Sequence, residues 1–208
     1  MNLLDNFINE CDIALKTLSF KKSGTGRSYP ANETSSSLSK KEKSLSAQLM
    51  RVNLAGEVAA QALYRGQAMV CKDAEIKNHL VQAGEEETDH LIWCKKRLEE
   101  LNGKPSILNP VWYAGSFAIG AIFGSFGEKT SLGFVEETEK QVVKHLEKHL
   151  DKVSKNDTET IEILKTMRAD EDEHAQEAVD NGSESLSEPT KKVMSLTAKV
   201  MTSSSAYI

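Results

Sequence analysis

Residues 86–94 read EETDHLIWC and residues 170–174 read DEDEH, and these two stretches decide the fold. Each contains Glu-x-x-His: Glu87 with His90, and Glu171 with His174. Residues three apart are neighbours on a helix face, so each pair sets a carboxylate beside an imidazole. Both stretches lie on apolar stripes. Leu80, Ala83, Leu91, Cys94 and Leu98 flank the first, and Leu164, Met167, Ala175 and Ala178 flank the second. Desolvating a carboxylate is costly, so its placement on a buried face implies partners there.

Working outward, each motif has a further carboxylate at a similar distance upstream, on the preceding helical stretch. Glu57 follows Leu54 by three and precedes Ala60 and Tyr64 by three and seven, so it faces inward. Three carboxylates compete on the later stretch. Glu139 has Val135, Val142 and Leu146 at helical offsets, whereas Glu137 has Gly133, Lys140 and Lys144, and Glu136 is intermediate. Periodicity selects Glu139. One Glu from each of two helices plus Glu-x-x-His from each of two others is the ligand set of ferritin-like dinuclear carboxylate sites. Taken singly, either motif reads more readily as a solvated Glu beside a core His; together the six residues predict a metal pair. Four carboxylates are neutralised by two divalent cations, and mixed oxygen and imidazole donors suit iron or manganese better than a closed thiolate site. The acidic residues just before the motifs, Glu86 and Asp170, are candidates to cross the bundle. Asp170 would accept the free ring N–H of His90, and Glu86 that of His174.

The remaining chain supports an all-α protein: a four-helix bundle of this type with an extra apolar helix and flanking terminal helices. Residues 1–38 read as an amphipathic helix over 3–20, whose pattern is carried by Leu3, Leu4, Phe7, Ile8, Cys11, Ile13, Leu15 and Leu18, followed by a Ser- and Gly-rich flexible linker. Residues 39–182 form the bundle. Ser39 and Glu42 make a capping box for a helix to about Cys71, and a second runs from Asp73 to Leu101. Asn109 and Pro110 open an apolar helix through Phe126, and two more run from Thr130 to Val153 and from Asp157 to Val179. Residues 183–208 add a C-terminal helix that starts at Pro189. His145 and His149 follow Glu139 on its helix as candidates to line the cavity.

Composition narrows the function. The net charge of -5, with cations interleaved among anions, leaves no basic surface for nucleic acid. Three cysteines without Cys-x-x-Cys spacing read as inert core thiols in a reducing compartment. The N-terminal residues show no secretory signal, which predicts a cytoplasmic location. The run from Pro105 to Gly127 carries no charge and includes Trp112, Tyr113, Phe117, Ile122 and Phe126. A bilayer span needs roughly 20 apolar residues, and Asn109, Pro110 and several Ser and Gly residues dilute this run. A crossing would also part the two halves of the metal site. The expectation is therefore a helix over 107–126 that dips one face into a leaflet, with Trp112 and Tyr113 near the headgroups. Gly115, Gly120 and Gly124 would let an apolar tail or a partner helix approach closely.

The segments RVNLAGE (51–57), EETDHLIWC (86–94), NPVWYAGSFAIGAIFG (109–124), GFVEETEKQVVKHLEKHL (133–150) and DEDEH (170–174) resemble the demethoxyubiquinone hydroxylases of ubiquinone biosynthesis. The resemblance covers nearly the whole chain and is nearest to the longer bacterial form. It implies iron ligands at Glu57, Glu87, His90, Glu139, Glu171 and His174, with Glu87 and Glu171 bridging two Fe ions per subunit. It also implies O2 as co-substrate, a polyprenylated quinol substrate and a peripheral position on the cytoplasmic face of the inner membrane. Partner proteins of ubiquinone biosynthesis belong to the same expectation. Leu54 departs from the His common in relatives, a change that touches cavity shape rather than the six ligands. The rivals are a rubrerythrin-like peroxide-handling protein, ferritin-like iron storage and a non-catalytic quinone-binding subunit.

Overall fold

The computed structural model describes residues 3–31 and 37–208; residues 32–36 of the linker, and the side chains of Leu3, Leu4 and Phe7, lie outside the described residues. Helices begin where short polar side chains satisfy free backbone N–H groups. Ser39 and Glu42 form the capping box of α2 (Lys40–Val70), and Asp73 caps α3 (Ala74–Glu100). Asp157 caps α6 (Thr158–Asp180), and Ser187 caps α7 (Glu188–Ser205). α1 (Leu3–Leu18), α4 (Asn109–Gly124) and α5 (Glu128–Lys152) complete the described elements. α3 stops where Asn102 turns to φ 58° and the Gly103 N–H bonds back to Leu98 O at 2.8 Å.

α2, α3, α5 and α6 form the four-helix bundle, and α4 crosses over on the outer side of α2. That crossing is close because it is made by glycines. A Cβ on Gly120 would lie 2.2 Å from Leu63 O, and one on Gly66 would lie 2.2 Å from Phe117 O. Gly120 and Gly124 thus seat α4 on α2 rather than admitting a tail from outside, while Gly115 faces open space. Two apolar clusters fill the bundle. One is built on Met50, Leu54, Leu91, Leu98, Leu146 and Met167, the other on Tyr64, Leu80, Ala83, Val135 and Ala178. A layer of charged side chains lies buried between them.

Three sequence expectations change. In α1 the stripe Ile8, Cys11 and Leu15 faces outward, because Thr17 donates to Gln61 Oε1 at 3.0 Å and Glu10 pairs with Arg65, which turns the other face to α2. Cys11 is exposed, so only Cys94 is the buried core thiol expected, with Cys71 half-buried. In α4 Tyr113 is buried, and Trp112 is half-buried with its Nε1 donating to Ser205 Oγ at 3.0 Å. The outward face of this region is instead Ile107, Val111, Ile122 and Phe126. Among the described residues no helix is long and apolar enough to cross a membrane.

Candidate metal centre

The four bundle helices each deliver carboxylates to the buried layer. Glu57 comes from α2, Glu87 and His90 from α3, Glu139 from α5, and Glu171 and His174 from α6; all six are at most 5% exposed. Glu57, Glu87, His90 and Glu171 offer ligand atoms that all lie within 4.8 Å of one another. His90 Nδ1 is 3.1 Å from Glu87, 3.2 Å from Glu171 and 3.8 Å from Glu57. His174 Nδ1 is 3.3 Å from Glu87 and 3.4 Å from Glu171. Glu139 closes the group from α5, held by the Tyr64 hydroxyl, which donates to its Oε1 at 2.7 Å. Glu137, the rejected alternative, lies outside the layer and pairs with Gln141 and Lys191.

The outer nitrogens of both imidazoles point away from this group. His90 Nε2 donates to Asp170 Oδ2 at 2.8 Å, and His174 Nε2 donates to Glu86 Oε2 at 2.9 Å. Each carboxylate thus crosses between α3 and α6 to hold the opposite ring, the arrangement expected from the acidic residues preceding the motifs. Such partners fix the ring plane and leave Nδ1 directed inward.

Charge does not balance within the cluster, and the titration shifts follow. Burial, then the charges of Glu87 and Glu171, push Glu57 and Glu139 well above the carboxylate range. Burial would also raise Glu87, but the neighbouring imidazoles of His174 and His90 outweigh it and hold it low. Burial opposes the charged form of both histidines, and their carboxylate partners override it, raising His90 strongly and His174 to about 12. Glu87 Oε1, Glu139 Oε2, Glu171 Oε2 and His174 Nδ1 have no hydrogen-bond partner. Unpaired buried oxygens and an inward nitrogen are donors that cations would satisfy. The set fits a hard-to-borderline metal pair, with Cys94 set aside, its thiol turned to Met167 Sδ at 3.7 Å.

His145 and His149 do not join the layer. Their rings pack together on α5, 4.0 Å between centroids. Sequence reasoning missed the Tyr64–Glu139 bond and the contacts of residues 22–29, since pairings between distant segments leave no local periodicity. Tyr64 was legible only as an inward-facing residue seven after Glu57.

A bundle of four helices around a buried layer of carboxylates and imidazoles defines a ferritin-like carboxylate protein. The chain is similar to the dodecameric thioferritin, a bacterioferritin-related protein of Bacteroides fragilis, with a TM-score of 0.55 at 25% identity over 67% of this chain and 84% of that one. More closely, it is 49% identical to the 3-demethoxyubiquinol 3-hydroxylase of Legionella pneumophila strain Lens, over 100% of this chain and 98% of the relative. The enzymes of that name from Francisella philomiragia (48%; 97% and 96% covered) and Nitrosococcus oceani (46%; 100% and 98% covered) are also similar. The family model described as Ubiquinone biosynthesis protein COQ7 matches residues 44–205, and the chain belongs to this family.

Proposed function

We propose that the chain is a diiron monooxygenase that hydroxylates the ring of a polyprenylated demethoxyubiquinol with O2, in ubiquinone biosynthesis. The observation that carries this reading is the buried six-residue layer with unpartnered donor atoms, in a chain nearly half identical to 3-demethoxyubiquinol 3-hydroxylases along its whole length. Glu57, Glu87, His90, Glu139, Glu171 and His174 would hold two iron ions. When bound, the metal pair would supply reductive activation of O2, with two electrons and two protons drawn from an external reductant, so that one oxygen enters the ring and the other leaves as water.

The protein's own groups set up that chemistry. Asp170 and Glu86 orient the two imidazoles, Tyr64 fixes Glu139, and the two apolar clusters exclude water from the layer. A closed seam too narrow to admit water, lined by Leu63, Tyr64, Phe134 and Thr138, reaches Glu139 from the side on which α4 packs. Phe134 at its wall stacks on Phe123 of α4, with centroids 4.1 Å apart. This seam, once parted by movement of Phe134 and α4, is the approach proposed for the quinol ring, with the apolar tail leaving along α4.

The exposed Ile107, Val111, Ile122 and Phe126 would rest in one leaflet at the cytoplasmic face of the inner membrane, because interfacial binding grows with buried apolar area. Val111→Glu with Ile122→Glu should then shift the folded protein from pelleted vesicles to the supernatant; unchanged pelleting would remove this contact. For the reaction itself, Glu171→Ala should yield a folded protein whose cells accumulate the quinone lacking one ring oxygen. Normal ubiquinone in such cells, with no second hydroxylase present, would overturn the assignment. Storage is the second reading, and it predicts many irons per chain rather than about two.

A further inference from the structure

The segment between α1 and α2 precedes the residues matched by the family model, and it is bound along the bundle at several points. Lys22 Nζ donates to Gly84 O at 3.4 Å, and the Tyr29 hydroxyl donates to Glu100 at 3.2 Å. Thr25 gives both its backbone N–H, at 3.3 Å, and its hydroxyl to Asp89. Gly24 is pressed against the same carboxylate, since a Cβ there would lie 1.9 Å from Asp89 Oδ1. The flexible linker expected from composition is thus, over residues 22–29, a strap tied to α3 and α6.

Arg27 is at the centre of this strap. Its Nη1 and Nη2 donate to the two oxygens of Asp170 at 2.6 and 3.0 Å. Its guanidinium also lies over the Trp93 ring, 5.0 Å from the centroid. Both contacts lead to one residue. Asp170 accepts from His90 Nε2 at 2.8 Å, and the Trp93 ring is 5.3 Å from the His90 ring. The other imidazole is supported differently: Glu86, which holds His174, accepts from the neutral Gln82 of its own helix at 3.1 Å. The Asp170 side chain is 16% exposed against 31% for Glu86.

We propose that Arg27 is a positioning residue that fixes the His90 imidazole toward the buried carboxylates through Asp170 and Trp93, making the His90 half of the centre the tighter of two unequal metal positions. The proposal rests on the metal-centre reading given above. A planar guanidinium fork locks the plane of the carboxylate it grips, and a lysine at the same place would keep the charge without the fork. With the Arg27 side chain 39% exposed, the ion pair adds little to global stability. Its effect should therefore be read in the metal rather than in the melting temperature.

The test uses the full chain, stripped of metal and titrated anaerobically with Co(II), followed by ligand-field absorption and calorimetry. The native protein should take up two ions. Loss of a partner behind a metal histidine costs about 10–100-fold in affinity, so Arg27→Ala should weaken one ion at least about tenfold and change the absorption of that position alone. Arg27→Lys should fall between, and Tyr29→Phe, which removes a strap contact away from His90, should match the native chain. Asp170→Asn should weaken the same ion, and adding Arg27→Ala to it should cause much less loss than Arg27→Ala causes alone, since only the Trp93 contact then remains to be removed. Native binding of both ions by Arg27→Ala, equal weakening of both, or additive losses in the double variant would each overturn the proposal. A native chain that binds no pair of Co(II) ions would instead overturn the metal-centre reading beneath it.

Discussion

His90 and His174 sit among carboxylates, and His145 and His149, on α5, sit among lysines. Burial disfavours the charged ring in both pairs. In the first it is overridden by hydrogen bonds to Asp170, Glu171, Glu57 and Glu87, and both rings hold their protons far above the ordinary range. In the second, Lys152 and Lys148 add to burial at His145, which falls to about 4, and His145 and Lys152 add to it at His149, which falls to about 3. The same side chain, placed twice in one bundle, has its charged form favoured by one environment before any metal binds and opposed by the other. Spacing on a helix therefore marks a metal centre only when the facing helices supply the counter-charges.

The largest expected contrast follows from that difference. His174→Ala should lower bound iron to about one per chain or less and cut ring hydroxylation at least about a hundredfold, because a ligand is lost together with the purpose of its Glu86 partner. His149→Ala should keep both irons and full activity. Iron analysis of the two purified variants decides the matter, and loss of iron from His149→Ala would place the α5 pair in the centre after all. A second contrast lies within α5. Glu139→Ala removes a buried donor and should lose much more iron than Glu137→Ala, whose carboxylate lies outside the layer and pairs with Lys191. Equal losses would mean that the two residues do not differ in reaching the metals.

The six residues of the layer were legible because each lies on an apolar stripe with period 3.6, which separates Glu139 from Glu137 without any knowledge of the fold. Helix ends were legible for the same kind of local reason, since Ser39, Asp73 and Asp157 cap within their own segments. The apolar pattern of α1 did not show which of its residues meet the bundle: Ile8, Cys11 and Leu15 point outward, Leu18 packs on the core, and Glu10 and Thr17 make the polar contacts with α2. Trp112 and Tyr113 were placed outside, although α4 rotates them inward to let Gly120 meet the α2 backbone. Arg27 carried no signal at all, because a cation in a Ser- and Gly-rich stretch gives no hint of a carboxylate that follows far along the chain. What sequence conceals here is pairing between segments, and the strap is made wholly of such pairs.

The smallest effect to be sought is acid sensitivity from the α5 pair. Both histidines have folded values below the ordinary 6.5, lowered first by burial and then by neighbouring positive groups. Below about pH 6.5 the unfolded chain therefore takes up protons that the folded chain refuses. Stability falls as the pH drops from there, and this loss ends only once the pH has passed through the folded values of about 4 and 3. Each histidine can contribute at most about 1.4 kcal/mol per pH unit, and partial access to solvent reduces that. His149→Leu removes one of the two groups and keeps the site apolar. Between pH 7 and pH 5 the native chain should lose about 1 kcal/mol more stability than His149→Leu, as read from urea denaturation of both proteins at each pH. Subtracting one protein from the other removes the titration of the carboxylate layer, which the two share. If the two curves fall in parallel, His149 is already protonated in the folded chain or exposed to water, and the contrast between the two histidine pairs is smaller than their geometry implies.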